Sequence, residues 1–144
     1  MKYKMMMAHM RTAENYAKLS HAIRLQVGAI VVKKDRIISI GYNGTPAGWD
    51  NNCEDHIYTD DMHVEMKTKP EVIHAEANAI AKLAKSNESG EGASMFITHA
   101  PCLECAKMIY SSGISNVFYK EIYRNSDGID FLLKCGVGIE QIKI

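Results

Sequence analysis

The chain has 144 residues, enough for a single domain over 1–144 with a real core and no need of disulfide staples. Lys plus Arg number 17 and Asp plus Glu 17, so the formal charge is zero, while 47% of residues are hydrophobic and 24% charged. These values exclude a disordered chain and argue against a protein whose affinity comes from coating nucleic-acid phosphates. No apolar run approaches the roughly 18 residues of a membrane span. The basic, methionine-rich start lacks a long apolar stretch and a small-residue cleavage site, so it does not read as a signal peptide. The expectation is a cytoplasmic protein with neither nucleic-acid nor membrane partners.

In chain order, one apolar side through Met6, Met10, Ala13, Tyr16, Ala17 and Leu19 predicts a helix from about 5 to 20. The apolar run Val27–Val32 and the β-branched run 36–40, joined across Lys33-Lys34-Asp35, predict a hairpin. Gly41, Asn43, Gly44, Pro46 and Gly48 then break regular structure. From Trp49 to Pro70 the sequence is polar and irregular, and it is expected to form a long functional or inserted loop. A helical pattern starts at His74 and stops near Gly90, followed by a strand over 94–98. Pro101 opens a helix to about Ser112, residues 116–120 form a strand, Ser126-Asp127 caps a helix to about Gly136, and 138–144 alternate like a final strand. The order predicts an α/β fold with a mixed five-stranded sheet, parallel in its second half, with helices on both faces.

The chemistry concentrates in His74-Ala75-Glu76 and Pro101-Cys102-Leu103-Glu104-Cys105. One imidazole and two thiolates suit zinc, and three protein ligands leave a position open, as a catalytic site requires. This His-x-Glu and Pro-Cys-x-x-Cys spacing is the recognised signature of zinc deaminases. Cys102 and Cys105 share a face if helical, and a helix N-terminus favours their thiolate forms. Glu76 is then the proton carrier. Residues two apart do not share a helix face, so His74 and Glu76 reach one metal only if the helix begins beside them. Taken singly, the Cys pair also reads as a core pair or a redox motif, and His74 as a satisfied, partly buried histidine. Cys135 reads as a small core residue. Cys53 reads as structural or incidental. Arg24 and Lys120 are candidates for a substrate phosphate, with surface solvation as the alternative for each.

These residues resemble the deoxycytidylate (dCMP) deaminases of the cytidine deaminase superfamily, in the short form found in phages and bacteria. The resemblance runs from about Arg24 to the C-terminus and is carried by Val27–Val32, Gly41-Tyr42-Asn43-Gly44-Thr45-Pro46, Cys53-Glu54, His74–Ile80 and Pro101–Lys107. It implies a three-layer α/β/α cytidine deaminase-like fold and one catalytic zinc per subunit on His74, Cys102 and Cys105. It also implies hydrolysis of dCMP to dUMP and ammonia for thymidylate synthesis, with Glu76 catalytic. By motif position, Asn43 would contact the nucleoside and Tyr123 the substrate. The family is commonly hexameric, activated by dCTP and inhibited by dTTP. An effector site at Gly41, Tyr42, Asn43 and Gly44, with Mg2+ accompanying the triphosphate, is the corresponding expectation. Some members hold a second zinc; Cys53, His56 and His63 lie in that region, but one zinc per chain is expected.

Three other functions compete with this reading. One is a deaminase of tRNA or single-stranded DNA, which zero net charge and the acidic loop disfavour. Another is a non-catalytic zinc-binding, effector-sensing module, which would not need Glu76. The last is a thiol redox protein, which would form a Cys102–Cys105 disulfide in place of a metal site.

Overall fold

The structure is a computed structural model that describes residues 1–144. Helix α1 spans Tyr3–Ala17, and strands β1 (Gly28–Lys33) and β2 (Arg36–Tyr42) follow. Their turn places Lys34 and Asp35 at φ 51° and 61°, the left-handed geometry that matches strand twist in tight hairpins. Next come β3 (Glu54–Tyr58), β4 (Val64–Thr68) and α2 (Ala75–Ala84). The chain finishes with β5 (Ser94–His99), α3 (Leu103–Ser111), β6 (Asn116–Glu121), α4 (Asp127–Lys134) and β7 (Gly138–Gln141).

Five strands form one sheet in the order β2-β1-β5-β6-β7. β1 pairs antiparallel with both β2 and β5, whereas β5–β6 and β6–β7 are parallel. The mixed sheet expected from the sequence is therefore present. Side-chain alternation divides the core into two layers. Ile30, Val32 and Phe96 face α1 through Met6, Met10 and Ala13. Ala29, Val31, Met95 and Ile97 face the opposite way, onto Ala75 and Ala79 of α2, Ala106 and Ile109 of α3, and Leu132 of α4. The sheet thus lies between one helix and three.

The loop expected over Trp49–Pro70 is in part a second sheet. β3 and β4 pair antiparallel, with Glu54 opposite Thr68 and Tyr58 opposite Val64. Seven of the ten strand residues of this ribbon are exposed, so it carries no apolar alternation, and its order comes largely from backbone pairing. Element ends also differ from expectation. α1 stops before Leu19, which is left exposed. Pro101 precedes Cys102, the N-cap of α3, so it stands outside the first turn. β7 covers only four residues of the alternating tail.

Two glycines set how closely helices approach the sheet and the site. A Cβ on Gly41 would collide with the backbone of Ala75 and Ala79, so α2 lies directly on β2. Ser39 Oγ donates to Ala79 O at 2.7 Å, and Asn78 Nδ2 to Tyr42 O at 2.8 Å, which locks that approach. A Cβ on Gly128 would strike the carbonyl of Pro101, so the start of α4 rests on the turn that carries Cys102.

Candidate active site

Two helices begin at the same place. His74 is the N-cap of α2, in extended conformation at φ −68° and ψ 154°, and Glu76 lies in the first turn. This resolves the spacing problem, because the imidazole bends around the helix end while Glu76 points inward and is buried. Cys102 is the N-cap of α3, its sulfur accepting from Cys105 N at 3.5 Å. Aligned amides at both starts favour negative charge at this point.

The His74, Cys102 and Cys105 ligand atoms all lie within 4.8 Å of one another. His74 Nδ1 is 3.3 Å from Cys105 Sγ and 3.6 Å from Cys102 Sγ. Zinc bonds of ~2.0–2.1 Å to nitrogen and ~2.3 Å to sulfur would space such donors by roughly 3.5 Å in a tetrahedron. The three residues therefore fit a zinc ion in both donor type and spacing. Both cysteines are free thiols, so the disulfide of a redox protein is not what brings them together.

Protonation is arranged to match. The Cys102 thiol is pushed down to about 4, first by its hydrogen bond with Cys105 and next by that with His74. The same bond with Cys102 pushes Cys105 up, and burial adds to it. His74 is raised, chiefly by its hydrogen bond to Cys102. Burial raises the Glu76 carboxyl to about 7, where a carboxyl can both take and give a proton near neutral pH.

Glu76 and His74 open into a cavity of about 430 Å³, within the size range of small-molecule sites. Asn43, Tyr123 and Arg24 line it too, so the structure brings these residues to the metal donors. The carboxamide of Asn43 accepts from Val27 N at 2.9 Å and donates to Leu25 O at 2.8 Å. One N–H and one oxygen lone pair remain for a ligand.

Lys120 is not brought to the cavity. It points from β6 toward α1 and pairs with Glu14 at 2.9 Å, which corrects its reading as a phosphate ligand. Tyr42, Asn43 and Gly44 line a second cavity of about 310 Å³ with His21 and Lys82. Gly41 does not line it and lies closed beneath α2. Asn43 borders both cavities. Cys53 is buried, whereas His56 and His63 lie exposed on the ribbon. They form no cluster of metal-ligand atoms, and the one such cluster is His74, Cys102 and Cys105.

The structure adds wall residues that the sequence did not single out for this site: Glu54, Thr68, His99 and Arg124. Burial lowers the pKa of His99, so it stands neutral at pH 7, edge-on to Tyr123 with ring centroids 6.4 Å apart. The guanidinium of Arg124 lies 5.1 Å from the centre of the Tyr123 ring. An irregular Tyr-Arg-Asn segment between a strand and a helix was the only signal for Arg124.

Comparison with known proteins agrees with this geometry. The family model of the cytidine and deoxycytidylate deaminase zinc-binding region matches residues 3–121. The chain is similar to the crystal structure of a dCMP deaminase from cyanophage S-TIM5 in complex with dCMP and dUMP. Identity to it is 45%, the TM-score is 0.89, and 99% of each chain is covered. The deoxycytidylate deaminase of Enterobacteria phage T4 is 37% identical over 83% of this chain and 79% of its own. ComE operon protein 2 of Bacillus subtilis is 36% identical over 84% of this chain, but the match spans only 62% of that longer protein. By its matched motif, its fold and the identity of these relatives, the chain belongs to the cytidine and deoxycytidylate deaminase family.

Proposed function

We propose that this chain catalyses the zinc-dependent hydrolysis of dCMP to dUMP and ammonia. The observation that carries the reading is the buried Glu76 carboxyl, poised near neutrality beside a three-donor metal site in a nucleotide-sized cavity. The likeness to phage proteins named as dCMP deaminases supports dCMP as the substrate.

His74 Nδ1 and the sulfurs of Cys102 and Cys105 would hold the ion. When bound there, zinc supplies Lewis acidity that brings the pKa of water toward neutrality. Glu76 takes a proton from the attacking water and passes one to N3 of the pyrimidine, which makes C4 electrophilic. It then takes the proton of the hydroxyl now on C4 and passes it to the departing amine as the C–N bond breaks, so water and dCMP give dUMP and ammonia. Burial serves this shuttle, because a fully solvated carboxylate would be too weak a base to hold the proton between steps. Asn43 offers its free N–H and lone pair to the nucleoside, and Tyr123 offers an aromatic wall.

Regulation and assembly follow the family pattern in this reading. The cavity beside Tyr42, Asn43 and Gly44, with Lys82 on its wall, would take dCTP as activator or dTTP as inhibitor, with Mg2+ on the triphosphate. The enzyme would act as a homohexamer in the cytoplasm and supply dUMP for thymidylate synthesis.

Ammonia release from dCMP, deoxycytidine and a cytosine-containing oligonucleotide tests the substrate. Preference for dCMP is expected, and preference for the oligonucleotide would overturn it. Replacing Glu76 by Gln should lower kcat by ~10²- to 10⁴-fold while the zinc content stays at one per chain. Retained turnover would overturn the mechanism. A sigmoidal dCMP response made hyperbolic by dCTP is expected for the effector site.

A further inference from the structure

We infer that Glu54 makes the substrate cavity demand a free 3′-hydroxyl, so that the site accepts a mononucleotide and rejects a cytosine linked through its 3′-oxygen in a nucleic-acid chain. The inference rests on the proposed dCMP substrate and deepens it, by naming the residue that separates that substrate from a polynucleotide.

Glu54 and Glu76 are the only buried carboxyl groups in the protein, and both lie on the wall of the same cavity. Glu76 has its work at the metal donors. Glu54 opens β3 and is 1% exposed. Its Oε2 accepts from Ile23 N at 2.9 Å and from Arg24 N at 3.1 Å. Its Oε1 is buried and has no hydrogen-bond partner. No cation neutralises the group, for Glu54 forms no ion pair. Arg24 sends its head elsewhere, to Thr68 Oγ1 at 3.1 Å and the Tyr123 hydroxyl at 3.3 Å. One oxygen is enough to hold two amides, so the second stands ready for a donor that the protein itself does not supply.

A carboxylate can only accept, and dCMP has two uncharged donors, the 4-amino group and the 3′-hydroxyl. The amine is the leaving group and belongs to Glu76, so the hydroxyl falls to Glu54. The placement agrees with this. Asn43, the proposed nucleoside contact, bonds Leu25 O and Val27 N, while Glu54 bonds Ile23 N and Arg24 N. The two side chains grip one stretch of cavity wall, residues 23–27, from its two ends. In a polynucleotide the 3′-oxygen bears a phosphodiester. The donor is then gone, and a second negative charge comes toward a buried carboxylate where water screens poorly. Rejection built from a lost partner and a like charge discriminates more sharply than added attraction alone.

The test measures deamination of dCMP, 2′,3′-dideoxy-CMP, 3′-O-methyl-dCMP and deoxycytidine 3′,5′-bisphosphate by the zinc-loaded protein. Loss of the donor in the dideoxy compound is expected to lower kcat/KM ~10- to 100-fold, the range of a hydrogen bond to a charged group. The bisphosphate is expected to fall ~10-fold or more below the uncharged 3′-O-methyl compound, because it adds like charge to the missing donor. Glu54→Gln keeps an oxygen for the two amides and offers an N–H to the cavity. It is expected to lower turnover of dCMP and raise that of the bisphosphate, whereas a merely structural role would lower all four together. A folded variant that keeps the wild-type ranking overturns the inference and leaves the proposed function standing. Should the variant not fold, the wild-type series decides: the expected ranking supports the inference, and a dideoxy compound as good as dCMP, or a bisphosphate no worse than the 3′-O-methyl compound, overturns it. Preference for an oligonucleotide over dCMP overturns the function and the inference together. If nothing is turned over, the same ranking is sought among the four compounds by calorimetric titration, and equal affinities overturn the inference.

Discussion

His74 Nδ1 lies 3.3 Å from Cys105 Sγ, although the residues are 31 positions apart and begin different helices. β5, the middle strand of the sheet, separates those helices in the chain, yet their starts meet in space, so the donor cluster is a product of the fold. Without the fold, no local segment carries all three donors.

Metal removal should expose the asymmetry between the two thiols. Cys102 is exposed and ionised above about pH 4, whereas Cys105 is buried with its thiol pushed up. In chelator-treated protein, iodoacetamide at pH 6 should modify Cys102 well before Cys105, and zinc should protect both. Peptide mapping by mass spectrometry checks this, and equal labelling of the two would contradict it.

Acid should weaken the fold through His9. Its imidazole is buried against Phe96, with ring centroids 5.1 Å apart, and Nε2 has no hydrogen-bond partner. Burial lowers its pKa below 6.5, partly opposed by Asp35. The unfolded chain therefore takes up a proton at a pH where the fold does not, and stability falls as pH drops from 6.5 through the lowered folded value. Thermal melts of wild type and His9→Gln from pH 8 to pH 5 check the sign. The variant should lose less Tm across that window, and a parallel loss would remove His9 as the cause.

Gly41→Ala should damage both stability and activity. Its methyl would enter the backbone of α2 at Ala75 and Ala79, the turn that carries Glu76. Overpacking of this kind costs about 1–3 kcal/mol, measurable by urea unfolding. A kcat loss larger than the unfolded fraction explains is expected, because the helix start moves with its catalytic side chain.

Lys120→Met should leave KM for dCMP unchanged. The ammonium is paired with Glu14 on the α1 side of the sheet and does not face the cavity. Stability should change by no more than ~1 kcal/mol, the range of a partly exposed ion pair. A clear rise in KM would contradict the placement.

The parts of this molecule that bury apolar surface were legible in the sequence. The run Val27–Val32 announced a strand of the hairpin, and its apolar side chains meet helices on both faces of the sheet. The metal donors were legible because their spacing encodes two helix starts. The β3–β4 ribbon was not, since its order comes from backbone pairing that leaves side chains in solvent. Nor was the meeting of Arg24 with Tyr123, 99 residues apart, which only the folded chain creates. Lys120 shows the limit of charge as a guide. A cation near the end of a strand alternates with its neighbours, and which layer it joins depends on helices placed elsewhere in the chain.

Asn43 gives the molecule a common partition. It stands between two chambers, its amide tied to Val27 and Leu25 on one strand of backbone. Any replacement there rebuilds both rooms at once, so a kinetic defect in such a variant would not reveal which occupant had lost its seat.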